Sequence, residues 1–182
     1  MAKKIVVLNG SPRANGNTKE LVKAFVKGAE SAGNTVQVFD LQKMNIHGCL
    51  GCCMGGKDEA SPCVQKDDMG DICEKWLAAD VVVLASPVYF YTWSSQMKAV
   101  LDRTFAIEQQ VKDTDFYLIS AAAAPTEDYM SLMLESFRKY VGCFRSGGNK
   151  AGGYVFGLGT NAPGDVAGSD AMTKAYELGR AL

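Results

Sequence analysis

The sequence holds a single histidine, His47, among 182 residues. Imidazole is the usual acid–base group near neutral pH, so side chains alone offer little of that chemistry. No G-x-S-x-G nucleophile elbow occurs, and no G-x-x-x-x-G-K-[ST] phosphate loop. Neither sign of charge is in excess. Nineteen Lys and Arg face 20 Asp and Glu, a net charge of −1, which recruits neither nucleic acid nor an anionic membrane. Long apolar runs are missing as well. Val81 to Ala85 is far too short to cross a bilayer, and "MAKKIVVLNG" lacks the apolar core of a signal peptide. The expectation is a cytoplasmic protein. With only five prolines, no linker, no repeat and no low-complexity tract, one domain over residues 1–182 is the simplest organisation, long enough for a real core.

What is present is an alternation. Apolar strand segments are expected at Ile5 to Leu8, Val36 to Leu41, Val81 to Ala85, Asp115 to Ala121 and Ala151 to Phe156. Between them lie helical patterns. Leu21, Val22, Phe25, Val26 and Ala29 form one stripe over Thr18 to Ala32, which Gly33 stops. Asp67 and Asp68 can cap a helix carrying Met69, Ile72, Trp76 and Leu77. Ser94 can cap one carrying Met97, Val100, Leu101 and Phe105. Thr126 can cap a long helix to about Val141, and Ser169 to Leu182 shows Ala171, Ala175, Leu178 and Leu182 on one side. Residues 44–66 lack periodicity and read as a long loop. Strands that are apolar throughout suit a parallel sheet covered on both faces. The fold class is therefore α/β: a doubly wound, three-layer fold with five parallel strands.

"LNGSPRANGNT" then asks for a ligand. It follows the first strand and opens the first helix, where backbone amides and the helix dipole favour an anion. Ser11, Arg13, Asn17 and Thr18 add donors, and several converging donors suit the several oxygens of a phosphate. An ordinary Gly/Pro/Asn turn is the plain alternative. The G-x-G-x-x-A at Gly157, Gly159 and Ala162 has no βαβ unit after it and is not a dinucleotide fingerprint.

A second loop, "SPVYFYTWSSQMKAVLDR", follows the third strand. In the order 2-1-3-4-5 that strand neighbours the first at the topological switch point, so the two loops face each other. Its Tyr89, Phe90, Tyr91 and Trp93 suit core, a dimer interface, or the stacking of a planar aromatic ligand. "GSPRANGNT" followed by "ASPVYFYTWSSQMKAVLDRT" resembles the NADPH-dependent FMN reductase family of flavodoxin-like proteins. With the tail "GTNAPGDVAGSDAMTKAYELGRAL", it resembles most the branch that includes the iron–sulfur flavoproteins.

That resemblance implies FMN at the switch point and NAD(P)H as co-substrate, with the nicotinamide docking on the flavin face. It implies Ser11, Arg13, Asn17 and Thr18 around the phosphate and Pro87, Val88, Tyr89 and Phe90 along the isoalloxazine. The loop "SAAAAPTE", with Ala122 and Ala123, would approach the other edge of the ring through backbone amides. The flavin carries the chemistry, in keeping with the single histidine, and no catalytic side chain is expected. The implied activity passes electrons to a quinone, an azo or nitro compound, a flavin or a similar small acceptor, in a homodimer or homotetramer. An iron–sulfur or flavodoxin-type electron carrier is the second reading. A redox-sensing interaction protein is the third.

Four of the six cysteines, Cys49, Cys52, Cys53 and Cys63, share the long loop. The branch carries a compact four-cysteine motif for a four-iron cluster. Its first two cysteines match Cys49 and Cys52 and its last resembles Cys63, but Gly55 stands at the third position. Cys53 adjoins Cys52 instead, and neighbouring residues in an extended loop point apart. An iron–sulfur cluster, zinc and free or reversibly oxidised thiols are the alternatives, and the thiols are the expectation. His47 is expected as a loop residue with local hydrogen bonds. Cys73 and Cys143 are expected as small buried hydrophobes on helices.

Overall fold

Alternate residues along each central strand belong to different helical layers, because successive side chains of a strand point to opposite faces. Ile5 and Val7 of β1 (Lys4–Asn9) share an apolar cluster with Leu21, Phe25 and Ala175, while Val6 and Leu8 join one with Ile72, Trp76, Met97 and Phe137. A strand buried on both faces reads as an unbroken apolar run, and that is how "IVVL" reads.

The computed structural model describes residues 2–59 and 62–182. The elements alternate: β1, α1 (Asn17–Ser31), β2 (Thr35–Asp40), α2 (Met69–Leu77), β3 (Val81–Pro87), α3 (Ser95–Arg103), β4 (Asp115–Ala121), α4 (Ser131–Val141), β5 (Lys150–Gly157) and α5 (Asp170–Arg180). They form one parallel sheet in the order β2-β1-β3-β4-β5. Helices α1 and α5 cover one face, and α2, α3 and α4 cover the other. This is the flavodoxin-like arrangement. Asn9 pairs with Ala85, Pro87 with Ala121 and Ala121 with Gly157, so four strands end level and their following loops open on one edge.

Ser94 caps α3 as expected, its Oγ accepting from the Met97 amide at 3.2 Å. Other elements differ from the sequence expectation. Thr126 makes no side-chain cap. A 3-10 turn, Glu127–Met130, comes first and α4 starts only at Ser131. Phe105 leaves the α3 stripe: it sits in the 3-10 turn Thr104–Ala106 and is 58% exposed. Leu77 is exposed at the last turn of α2. Cys143 lies on the turn beyond α4 and is exposed, whereas Cys73 is buried. Asp68 occupies the N-cap position of α2 without a cap bond. Asp67 Oδ1 accepts from the Met69 amide at 3.3 Å instead.

Candidate functional site

The loop after β1 is fastened before it opens. Asn9 Oδ1 accepts from the Ser11 amide at 3.2 Å, the Gly10 amide donates to the Ala85 carbonyl at 2.8 Å, and Ser94 Oγ donates to the Gly10 carbonyl at 2.7 Å. A Cβ at Gly10 would stand 2.9 Å from Met97 Cβ and Ser94 Oγ. The start of α3 is therefore locked against the loop, and only glycine allows the approach.

Beyond Gly10 the chain forms a cradle. Arg13 N donates to Ser11 Oγ at 3.3 Å, and a Cβ at Gly16 would meet that oxygen at 2.7 Å. The amides of Asn15, Asn17 and Thr18 have no acceptor among the described residues. Ser11, Asn17 and Thr18 are buried. Unpaired amides at a helix start, beside hydroxyls and a guanidinium, form an anion site.

A cleft of about 160 Å³ opens above this cradle. Ser11, Arg13, Asn17, Thr18, Pro87, Val88, Tyr89, Ala122 and Ala123 all line it, joined by Gly16, Ala121, Thr160 and Asn161. Every site residue expected from the sequence is there except Phe90. That side chain is 99% exposed, at the tip of a two-residue hairpin closed by reciprocal Tyr89–Thr92 backbone hydrogen bonds of 3.0 and 3.1 Å. The aromatic cluster thus divides. Trp93 is buried, its Nε1 donating to Ser136 Oγ at 2.9 Å, Tyr89 borders the cleft, and Phe90 and Tyr91 face solvent.

Three of the expected residues have polar groups already engaged within the protein. The Asn17 side chain is committed to the loop after β5. Its Nδ2 donates to the Ala162 carbonyl at 2.8 Å, and its Oδ1 accepts from the amides of Gly164 and Val166 at 3.1 and 3.2 Å. Arg13 Nη1 donates to the Asn161 carbonyl at 2.7 Å. The Ala122 amide is spent on the Gly157 carbonyl at 2.9 Å, so of the two alanines only Ala123 has a free amide. Thr160 and Asn161 were missed because nothing local marks them. They reach the cleft through bonds to residues far earlier in the chain.

The cysteine loop lies elsewhere, against the end of α3. Arg103 donates to both Asp67 carboxylate oxygens at 2.8 and 2.9 Å and to the His47 carbonyl at 2.9 Å. The two side chains are 1% and 2% exposed. The hydrogen bonds from Arg103 hold the Asp67 carboxyl down at about 2 against the opposing effect of burial. His47 is engaged through its backbone, its amide donating to Asp67 Oδ2 at 3.0 Å. Gly51 N donates to Cys49 Sγ at 3.4 Å, and Cys53 Sγ donates to the Gly51 carbonyl at 3.6 Å.

With this geometry in place, the sequence profile of the family described as NADPH-dependent FMN reductase matches residues 3–153. The chain belongs to that family. Its chemistry is FMN-dependent oxidoreduction with NAD(P)H. An iron–sulfur flavoprotein of Archaeoglobus fulgidus is 31% identical over 183 residues, covering 97% of this chain and 77% of that protein. Further iron–sulfur flavoproteins match over only about half their length. Bacillus subtilis YwqN, named for NAD(P)H-dependent, FMN-containing oxidoreductases, is 26% identical over 90% of this chain and 88% of its own. An NAD(P)H:quinone oxidoreductase from Methanothermobacter marburgensis shares the fold, with a TM-score of 0.78 at 19% identity over 99% of this chain and 96% of that one.

The family implies FMN, and the cleft fits it: a cradle that a Cβ at Gly16 would fill, with free amides beneath. The branch also implies a four-iron cluster, and here the fit fails. Among the described residues no three His, Cys, Asp or Glu side chains converge on a metal position. Cys49 and Cys53 turn instead to the backbone of Gly51.

Proposed function

We propose that this reductase holds FMN in the cleft formed by the loops after β1, β3, β4 and β5. It would pass electrons from NAD(P)H to a small organic acceptor: a quinone, an azo or nitro compound, or another flavin. The observation that carries this reading is the convergence on one cleft of the unpaired α1 amides, the Pro87–Tyr89 segment and the free Ala123 amide.

Bound FMN supplies the hydride acceptor and the onward electron donor. The chain's residues do the rest. Ser11, Thr18 and the α1 amides hold the phosphate. The Arg13 guanidinium balances its charge while tying the loop at Asn161. Pro87, Val88 and Tyr89 give one apolar border, and Ala123 offers an amide at the other. No side chain in the cleft serves as general acid or base.

The working form is read as a cytoplasmic homodimer or homotetramer. In support of an assembly, Phe90 and Tyr91 form an exposed aromatic tip. The names of the relatives favour a second reading, a cluster-bearing electron carrier. The absence of convergence among the described cysteines speaks against it.

Binding titrations test the cofactor site. Thr18→Ala should weaken FMN about tenfold or more, since a hydrogen bond to a charged group is worth about 1.5–3 kcal/mol. Riboflavin, which lacks the phosphate, should bind unchanged. Equal losses for both ligands would remove the phosphate from Thr18.

A further inference from the structure

Ser86 is the last fully buried residue of β3, one position before the cleft wall begins at Pro87. It stands behind that wall rather than in it. Its hydroxyl accepts from the Ser94 amide at 3.0 Å, and the Pro87 carbonyl and Ser94 Oγ lie 2.8 and 3.4 Å from it. A hydroxyl has one hydrogen to give. Ser94 gives its own to the Gly10 carbonyl at 2.7 Å, so Ser86 is the donor in the longer contact. Of its two acceptors, the Pro87 carbonyl is much the nearer and takes the hydrogen. Ser86 is thus bonded both to the border of the cleft and to the N-cap of α3, and Ser94 carries the connection on to the phosphate loop.

The peptide between Pro87 and Val88 is left with nothing to offer a ligand. Ser86 holds its carbonyl, and the Val88 amide donates to the Ala121 carbonyl at 3.0 Å. Both polar groups turn into the protein, which leaves the Pro87 ring and the Val88 side chain as the border. The opposite border differs. There the Ala122 carbonyl accepts from the Thr160 amide at 2.8 Å, and the Ala123 amide of the same peptide is free. Without the Ser86 hydroxyl, the Pro87 carbonyl would become a free acceptor at the apolar border, and the buried Ser94 amide would lose its acceptor.

Ser120 gives a comparison within the same sheet. It is the register partner of Ser86 on β4 and is equally buried, yet its Oγ has no partner. The two serines share depth and level, and only Ser86 is bonded to the cleft border and to α3.

We infer that Ser86 is a positioning residue for the flavin. Its hydroxyl keeps the Pro87–Val88 peptide turned away from the cleft and fixes that border relative to the phosphate loop. The inference rests on the flavin reading of the cleft. A border already in place need not be ordered when a ring is laid against it, and that advantage disappears with the hydroxyl.

Ser86→Ala, Ser86→Thr and Ser120→Ala are compared with wild type by titration with FMN and riboflavin, by the visible spectrum of the bound flavin and by melting temperature. Ser86→Ala should weaken both ligands alike, by about tenfold, because the border meets the ring that they share. It should also shift the flavin absorption bands. Ser86→Thr keeps the hydroxyl and should lie closer to wild type in both respects. Ser120→Ala should change neither. Wild-type affinity and spectrum in Ser86→Ala would overturn the inference, as would equal changes in Ser120→Ala or a Thr variant no better than the Ala variant. Should Ser86→Ala not fold, hydrogen exchange in the wild type decides. Riboflavin should slow exchange of the Ser94 amide, whose residue does not line the cleft, together with that of Val88. Slowing at Val88 alone would overturn the inference. The flavin reading fails in a different way, through wild type that binds neither ligand, and that result would remove both.

Discussion

Asn17 shows how a residue chosen for one chemistry can serve another. Its side chain spends both donor and acceptor on the segment from Ala162 to Val166, which stands beside Thr160 and Asn161 of the cleft wall. Asn17→Ala should therefore loosen that wall and weaken FMN and riboflavin alike, in contrast to Thr18→Ala. Hydrogen exchange should rise at the amides of Gly164 and Val166, which bond to Asn17. A loss confined to FMN would return Asn17 to the phosphate. The residue types around the cradle were legible in the sequence because a short loop brings Ser11, Arg13, Asn17 and Thr18 together by local connectivity. The division of labour among them was not, since the partners of Asn17 lie more than a hundred positions onward. The Asp67–Arg103 pair was illegible for the same reason: Asp67 read as a helix cap and Arg103 as the end of a helix.

At the scale of elements, the hairpin after β3 carries a conformational cost. Phe90 and Tyr91 have φ of 48° and 68°, the left-handed region at both central positions that two-residue hairpins assign to Asn and Gly. Bulky residues there cost about 1 kcal/mol or more each. Replacing Phe90-Tyr91 by Asn-Gly should raise the melting temperature, by about 1–2 kcal/mol of stability, with FMN affinity preserved. An unchanged or lowered melting temperature would show that the tip is held by contacts that repay the strain. The order and type of the strands and helices were legible from periodicity. The start of α4 was not, because the 3-10 turn at Glu127–Met130 uses up the residues that Thr126 would have capped.

Packing of α1 on α5 is a second matter of elements. A Cβ at Gly28 would collide with the Tyr176 carbonyl, and one at Gly179 with the Phe25 carbonyl. The two backbones touch, and no side chain can give way. Gly28→Ala or Gly179→Ala should each destabilise the protein by about 1–3 kcal/mol or more in denaturant unfolding, despite the better helix propensity of alanine.

For the whole molecule, acid stability centres on Asp67. Its carboxyl ionises at about 2 when folded, against an ordinary value of 3.8. Because the folded value is the lower one, the contribution is full above about pH 4 and is lost as the pH falls toward 2. Its size is about 2 kcal/mol. Arg103→Leu leaves the carboxylate buried and alone, and should cost about 3–5 kcal/mol near neutral pH. That penalty should shrink as acid protonates Asp67. Unfolding curves of wild type and variant that keep a constant gap from pH 6 to pH 2 would contradict the assignment.

The contact between α1 and α5 also sets a timetable. On the ribosome, the stripe of Leu21, Val22 and Phe25 emerges with α1, but the helix that covers part of it begins only at Asp170. At ordinary elongation speeds of about 5–20 residues per second, that interval lasts roughly seven to thirty seconds. Throughout it the part of that face which α5 covers stays open on the nascent chain. Production of this protein should therefore respond to the supply of holding chaperones, and a stall between Ser31 and Asp170 should leave a fragment that aggregates.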